Sequence, residues 1–427
     1  MRTPRNLRHM SNWRQGANRH APRNFQPASL HGMIDKRYTL FTRIPLKRSR
    51  DGRLFCDPLW EKDLRQHMAY IRRFYLCCPV ENCDEVEGMA DITELDLHIF
   101  ELKTDLGAKS VISNLLPNFL SVLKACRQTE IVHSDGAGWA FPLTFYILPI
   151  SFIVRFKWVI VIESSFWMVE PGEKRTARRL IEHLAHKILL TLSLQRATAR
   201  IFTQSFYRNY FLGDITERTL INPANWVDQA MMADRTAVVE RFRARGDAPI
   251  RLILPSRLEE DKGILVALDA IKILATQRRP IEITIMGTGK LEQHCRSFAE
   301  SQRGCVKVTF VQPVPYDKRF FEKLSEHDFV LVPTLKQEQP RIVFDAFSQG
   351  VAVIGSDTSG IRDITSRRTA MLFSRGDAND LATRLTSTEC SRAAAMEMGL
   401  AGLEYAFGKN HRQMHIDREA FLKPLIH

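Results

Sequence analysis

The chain has 427 residues and a formal net charge of +13, with 44% apolar and 26% charged residues. That length and composition allow two globular domains with cores of their own and exclude a fibrous or wholly disordered chain. The charge is lopsided: residues 1–50 carry +11 and the remaining 377 carry +2, so a nucleic-acid-binding body is excluded too.

Residues 1–33 form a basic arm rich in Arg, Asn and Pro, with little apolar periodicity, and are expected to be disordered. The arm lacks the apolar stretch of a secretory signal. It could touch anionic lipid head groups. Met33 also stands just before the first strand, so the arm could be a start-site extension.

The first half alternates strands and helices. "RYTLFTRIP" is read as a strand, "LWEKDLRQHMAYIRR" as a helix, "FYLCCPV" and "LDLHIFEL" as strands, and "VISNLLPNFLSVLKACR" as a helix. "TEIVHSD", "WVIVIESS" and "RIFTQS" continue as strands, with a helix over "RTARRLIEHLAHKILLTLSLQRA". The apolar segment Phe141–Val154 is too short for a span and carries Pro142 and Pro149, so a buried helix or an interfacial patch fits it better. Eight scattered cysteines, without a second ligand pair for zinc, read as thiols in a reducing compartment.

From Pro249 the pattern is more regular. The strands "IRLILPS", "IEITIMG", "VKVTFVQ", "FVLVPT", "VAVIGSD" and "AMLFS" alternate with helices over "ILVALDAIKILATQ", "KLEQHCRSFAESQ", "YDKRFFEKLSEH", "PRIVFDAFSQG" and "DANDLATRLTS". Six strands so arranged predict a doubly wound parallel sheet, with ligands at the carboxyl ends of its strands. The expected division is 34–230 for the first α/β domain, 231–405 for the second and 406–427 for a tail that could be a helix packing back on the first domain.

Several residues in these loops could carry chemistry. Arg257 and Lys262 follow a strand end, and Gly263 precedes a helix; two cations at a helix start suit a diphosphate, though a solvated loop is as good a reading of that fragment alone. Gly287 and Gly289 form a Gly-x-Gly turn that any strand-to-helix connection could need. In "KQEQPRIVFDAFSQG", Glu338 and Asp345 stand seven residues apart around a helix start.

The ordered set "SRLEEDKG", "GTGKLE" and "EQPRIVFDAFSQGVAVIGSDTSGIRDI", within Arg251 to Leu385, resembles the retaining glycosyltransferases of family four. The resemblance implies the GT-B architecture: α/β, with two Rossmann-like domains facing a cleft. It implies a nucleoside-diphosphate-sugar donor, a glycan or lipid-linked acceptor, no cofactor and no metal. Arg257 and Lys262 match the diphosphate-binding cations. Asp345 matches the second acid of the family's E-x7-E motif, which holds the ribose hydroxyls. The amides of Ile342 and Val343 would face the phosphates.

The chain departs from the motif at its first acid, where Gln337 stands and Glu338 follows one place later. Either Glu338 shifts into the sugar-facing role, the preferred reading, or Gln337 serves as a neutral partner. On the acceptor side His133 and Glu163 follow strands, with Thr42–Pro45 beside them. Glu163 takes the place where relatives often carry a His and could orient a hydroxyl or act as base. The implied setting is cytoplasmic, perhaps on the inner face of a membrane, in polysaccharide or glycan biosynthesis. Two alternatives stand beside it: a non-catalytic binding module on the same scaffold, and a nucleotide-sugar epimerase.

Overall fold

The computed structural model describes residues 32–426 except 84, 106, 137–140, 165, 170–175, 277–279 and 303. Residues 1–31 of the basic arm therefore lie outside the described residues.

In the first half the strands are β1 (Ile34–Phe41), β2 (Leu46–Arg48), β3 (Leu54–Cys56), β4 (Ile71–Asn82), β5 (Ala90–Asp91), β6 (His98–Leu102), β7 (Ile131–Asp135), β8 (Lys157–Ile162), β9 (Ala199–Phe202) and β10 (Thr219–Ile221). The helices are α1 (Pro58–Met68), α2 (Ala108–Gln128), α3 (Thr144–Ile150), α4 (Ala177–Arg196) and α5 (Ser205–Leu212). The parallel strands lie side by side in the order β6, β4, β1, β7, β8, β9, β10; the short β2 pairs in parallel with the end of β4, and β3 and β5 follow it in antiparallel pairings.

The second half begins with α6 (Arg235–Ala244) and then alternates β11 (Ile250–Pro255), α7 (Ile264–Thr276), β12 (Ile281–Met286), α8 (Glu292–Ser301), β13 (Val306–Val311), α9 (Lys318–Ser325), β14 (Phe329–Val332), α10 (Ile342–Ser348), β15 (Ala352–Ser356), α11 (Ser359–Arg362), β16 (Ala370–Phe373) and α12 (Ala378–Thr386). Two longer helices close the chain, α13 (Arg392–Phe407) and α14 (His411–Ile426). The second sheet is parallel throughout, in the order β13, β12, β11, β14, β15, β16.

Both sheets are thus wound the same way. The chain starts in the middle, steps outward twice, then crosses back to the other side of the first strand. This puts a topological switch point between β1 and β7 in one sheet and between β11 and β14 in the other. Each sheet is buried on both faces, and that is why its strands read as near-continuous Val, Ile, Leu and Phe. The α/β two-domain expectation holds.

Three details differ from the sequence reading. The first helix ends at Met68 rather than running to Arg73, because Ile71 and Arg73 pair with Ile34 and Arg37 of β1 and extend β4 backwards. Pro340 precedes α10 instead of opening its first turn. Helix α13 was not expected, and α14 returns Leu422 and Ile426 into the core of the first domain.

Candidate donor cleft and acceptor pocket

One cleft opens at the second switch point. It encloses about 360 Å³ and is walled by Pro255 and Ser256 at the end of β11 and by Val332, Pro333 and Thr334 after β14. Lys262, Glu338, Arg341, Ile342 and Asp345 face it from the second domain, and Leu59 and Trp226 from the first domain and the linker.

The loop after β11 reaches the cleft because two glycines let backbones touch. At Gly263, with φ +69°, a Cβ would lie 1.8 Å from the Pro333 carbonyl oxygen. At Gly287 a Cβ would lie 1.9 Å from the Ser256 carbonyl oxygen, so this glycine packs two strand-end loops together and does not line the cleft. Lys262 projects inward, with its Nζ 3.9 Å from Glu338 and 3.7 Å from Asp261. Arg257 is exposed on the same loop, outside the lining.

Asp345 sits on the buried side of α10 and accepts a 2.6 Å hydrogen bond from the Tyr316 hydroxyl. Burial pushes its carboxyl up to about 7; Tyr316, Arg341 and Lys62 pull the other way and only partly offset it. Burial and the neighbouring carboxylate push the Tyr316 phenol well up, so it stays a donor.

Gln337 and Glu338 part company. The Gln337 amide oxygen accepts from the backbone and hydroxyl of Ser359, at 2.9 and 2.8 Å, at the start of α11. It is outside the cleft lining, whereas Glu338 is in it and accepts from Ser164 of the first domain at 3.2 Å. The Val343 amide donates to the Pro340 carbonyl at 3.2 Å. The Ile342 amide has no partner among the described residues, so of the two expected phosphate-facing amides only this one is open.

A second pocket of about 140 Å³ lies at the switch point of the first sheet. Thr42, Ile44, Asp135 and Glu163 line it from the strand ends, His133 lines it from within β7 rather than following the strand as expected, and Trp226 lines both cavities. His133 is buried and bonded through Nδ1 to the Tyr38 hydroxyl at 2.8 Å. Burial first, then the neighbouring His67 and Arg418, hold its pKa well below the usual range and keep the ring neutral. Glu163 is exposed and stands 3.8 Å from Arg418.

Sequence reading missed the groups behind this pocket. Asp63 of α1 accepts from His411 at 3.1 Å and His415 at 2.9 Å, both through Nε2. Burial alone would raise the Asp63 carboxyl, but the attraction of His67 and these hydrogen bonds hold it well below the usual range. The spacing of His411 and His415, four apart on one helix face, was the available signal. These three are the only residues described whose ligand atoms cluster tightly enough for a metal, all within 4.8 Å of one another. The Nδ1 atoms of both histidines are buried without a partner, so a metal-bound imidazole would have no acceptor for its remaining proton. Hydrogen bonding accounts for the cluster without an ion.

Residues 249–388 match the family model of Glycosyl transferases group 1. The chain is 31% identical over 180 residues to the amylovoran biosynthesis glycosyltransferase AmsK of Erwinia amylovora, covering 39% of this chain and 44% of AmsK. It is 23% identical over 198 residues to the putative colanic acid biosynthesis glycosyltransferase WcaL of Salmonella typhimurium, covering 44% of this chain and 48% of WcaL. The matched region thus spans under half the length of either relative. Among solved structures, HepE of Anabaena in complex with UDP and glucose superposes with a TM-score of 0.62 at 14% identity, over 90% of this chain and 98% of HepE. Sucrose-phosphate synthase of Thermosynechococcus elongatus gives 0.64 at 14% identity, over 91% of this chain and 98% of that enzyme. These likenesses establish the GT-B fold.

Proposed function

We propose that this chain is a glycosyltransferase that moves a sugar from a nucleoside-diphosphate donor, of the UDP-sugar kind, to an acceptor hydroxyl with retention, in the biosynthesis of a polysaccharide. The observation that carries this reading is the convergence of Lys262, Glu338 and Asp345 on one cleft, across Trp226 from a second pocket holding His133 and Glu163. A group 1 match over residues 249–388 and relatives named for amylovoran and colanic acid biosynthesis support it.

In this reading residues 231–405 hold the donor and residues 34–230 the acceptor, a glycan or lipid-linked hydroxyl on the cytoplasmic side. Asp345 accepts from the ribose diol. Lys262, with Arg257 from the rim and Arg341 opposite, neutralises the diphosphate, so no metal is needed for that charge. The anomeric carbon–oxygen bond breaks with its electron pair passing to the diphosphate, and the acceptor oxygen bonds to the same carbon. Positive charge on the sugar is greatest between these events, and the Glu338 carboxylate stabilises it there. Glu163 takes the acceptor proton, and neutral His133 orients the hydroxyl.

The test is incubation with a panel of nucleotide sugars, following nucleoside diphosphate release, with the anomeric configuration of the product read by NMR. Retained configuration with stoichiometric release is expected. Binding without turnover would support the scaffold alternative, a free epimerised sugar would support the epimerase, and an inverted product would overturn retention.

A further inference from the structure

Helices α2, α3 and α4 lie side by side on one flank of the first domain. Phe119 meets Tyr146 at 6.5 Å between ring centroids, and Phe145 meets His186 at 5.1 Å. Their outer surface is apolar to a degree that a water-facing layer does not need. On α2, Ile112, Leu116 and Leu120 are exposed at 76%, 65% and 54%, recurring every four residues along one face. On α4, Ile181, Leu184 and Ile188 repeat the pattern at 69%, 56% and 49%. Beside the C-terminal end of α4, Phe152 and Ile153 just past α3 are exposed at 68% and 72%, with the Arg196 guanidinium 3.9 Å from the Phe152 ring centroid. An apolar groove of about 320 Å³ runs between α2 and α3, lined by Leu115, Leu116, Phe119, Phe141, Phe145 and Tyr146.

The charges on these elements are predominantly positive. Helix α2 contains no Asp or Glu, nor does the segment from Phe141 to Lys157, and α4 contains only Glu182, which is paired with Arg179 at 3.0 Å. Lys109, Lys124, Arg127, Arg155, Arg178 and Lys187 are exposed. A contiguous apolar surface of this kind marks an interaction site. We propose that the α2–α3–α4 flank docks on an anionic lipid bilayer, its apolar stripes in the interface and its cations against the head groups. A second copy is the poorer occupant, because two such faces would bring cation against cation. No described helix is long and apolar enough to cross a membrane, so the contact lies on the surface.

The placement has a functional consequence. Helices α2 and α4 follow β6 and β8, so their first two turns, with Ile112 and Ile181, lie toward the carboxyl ends of the parallel strands. That is the end where His133 and Glu163 stand. Docking there brings the acceptor pocket to the bilayer, whereas the sequence pointed to the basic arm and, as one reading of Phe141–Val154, to an interfacial patch.

The test is cosedimentation of the full chain, arm intact, with vesicles of phosphatidylcholine alone or mixed with phosphatidylglycerol, beside calorimetric UDP affinity. Binding to the mixed vesicles is expected. Ile112→Ser with Ile181→Ser should lower it by about tenfold, and Arg155→Glu with Lys187→Glu by a similar factor on mixed vesicles only. UDP affinity should be the same in all three proteins, which verifies folding. The proposal is overturned if the unsubstituted chain stays in the supernatant, or if both variants sediment like it, which would put the contact in the arm. It is equally overturned if light scattering shows a dimer that the apolar substitutions dissociate. Failure of UDP to bind any of the proteins would count against the donor reading and leave the vesicle result intact.

Discussion

Asp345 is a carboxylate at 5% exposure whose ionisation burial has moved up to about 7, from an ordinary 3.8. A folded-state pKa above the unfolded one means that its neutral form favours folding below pH 3.8, and that this contribution is lost as pH rises through about 7. Binding should run the opposite way: a ribose diol donates best to the ionised acid. UDP affinity, measured by calorimetry, is expected to rise with pH and level off above about 7, and Asp345→Asn should weaken binding and flatten the profile. A profile unchanged by the substitution would remove Asp345 from the ribose role. Glu338 and Gln337 separate just as cleanly. Glu338→Gln should lower kcat while leaving donor KM nearly unchanged, because the charge it answers develops only in the transition state. Gln337→Ala should leave kcat near its starting value and instead cost about 1 kcal/mol of stability, since its amide caps α11 through Ser359. A crippled Gln337 variant beside a healthy Glu338 variant would reverse the roles.

Helix α14 shows what periodicity can and cannot convey about an element. The second sheet was legible strand by strand, because "ILIL"-type runs between turn residues have few other uses, and its motifs fell at strand ends where the winding puts ligands. The first sheet was legible in outline, but β4 took three residues from the expected α1 through its pairing with β1, a long-range choice that no local window contains. Glu338 and Asp345 were singled out through the ordered motifs of the family resemblance, not through spacing alone. Trp226, Tyr316 and the Asp63 cluster were not, because each acquires its neighbours from a distant segment: Trp226 stacks on His411 with rings 13° from parallel, and His411 reaches back to α1. This packing makes α14 a clamp with a pH dependence. Burial, ahead of the Asp63 hydrogen bond that opposes it, lowers His415 to about 3. The unfolded chain therefore holds a proton there that the folded chain does not between about 3 and the ordinary 6.5, so stability falls as pH falls through that window. Asp63→Asn keeps the shape but weakens both bonds to α14. It should cost about 2 kcal/mol in denaturant unfolding at neutral pH, and a loss near zero would show that α14 is held by Leu422 and Ile426 alone.

The whole molecule sets two switch points face to face, with the linker between them gripped from both sides. Gln339 makes paired hydrogen bonds with the Ala224 backbone at 3.1 and 3.0 Å, and Lys62 donates to the Trp226 carbonyl and to Asp228. On the far edge Asp363 at the end of α11 accepts from the backbone and hydroxyl of Ser205, which opens α5. In the proposed reading the donor groups are carried almost entirely by one domain and the acceptor groups by the other, so binding and turnover should depend differently on how the domains meet. Asp363 lines neither cavity. Asp363→Ala should therefore leave UDP affinity within about twofold, because no donor contact is touched, while lowering kcat by about tenfold or more as Glu338 and the acceptor hydroxyl lose their common register. Calorimetry and initial rates on the same preparation separate the two. Equal losses in both would mean that the nucleotide site itself spans the domains. An unchanged kcat would mean that the linker contacts at Ala224 and Trp226 already fix the domain geometry, leaving the Asp363–Ser205 contact as no more than a local cap on α5.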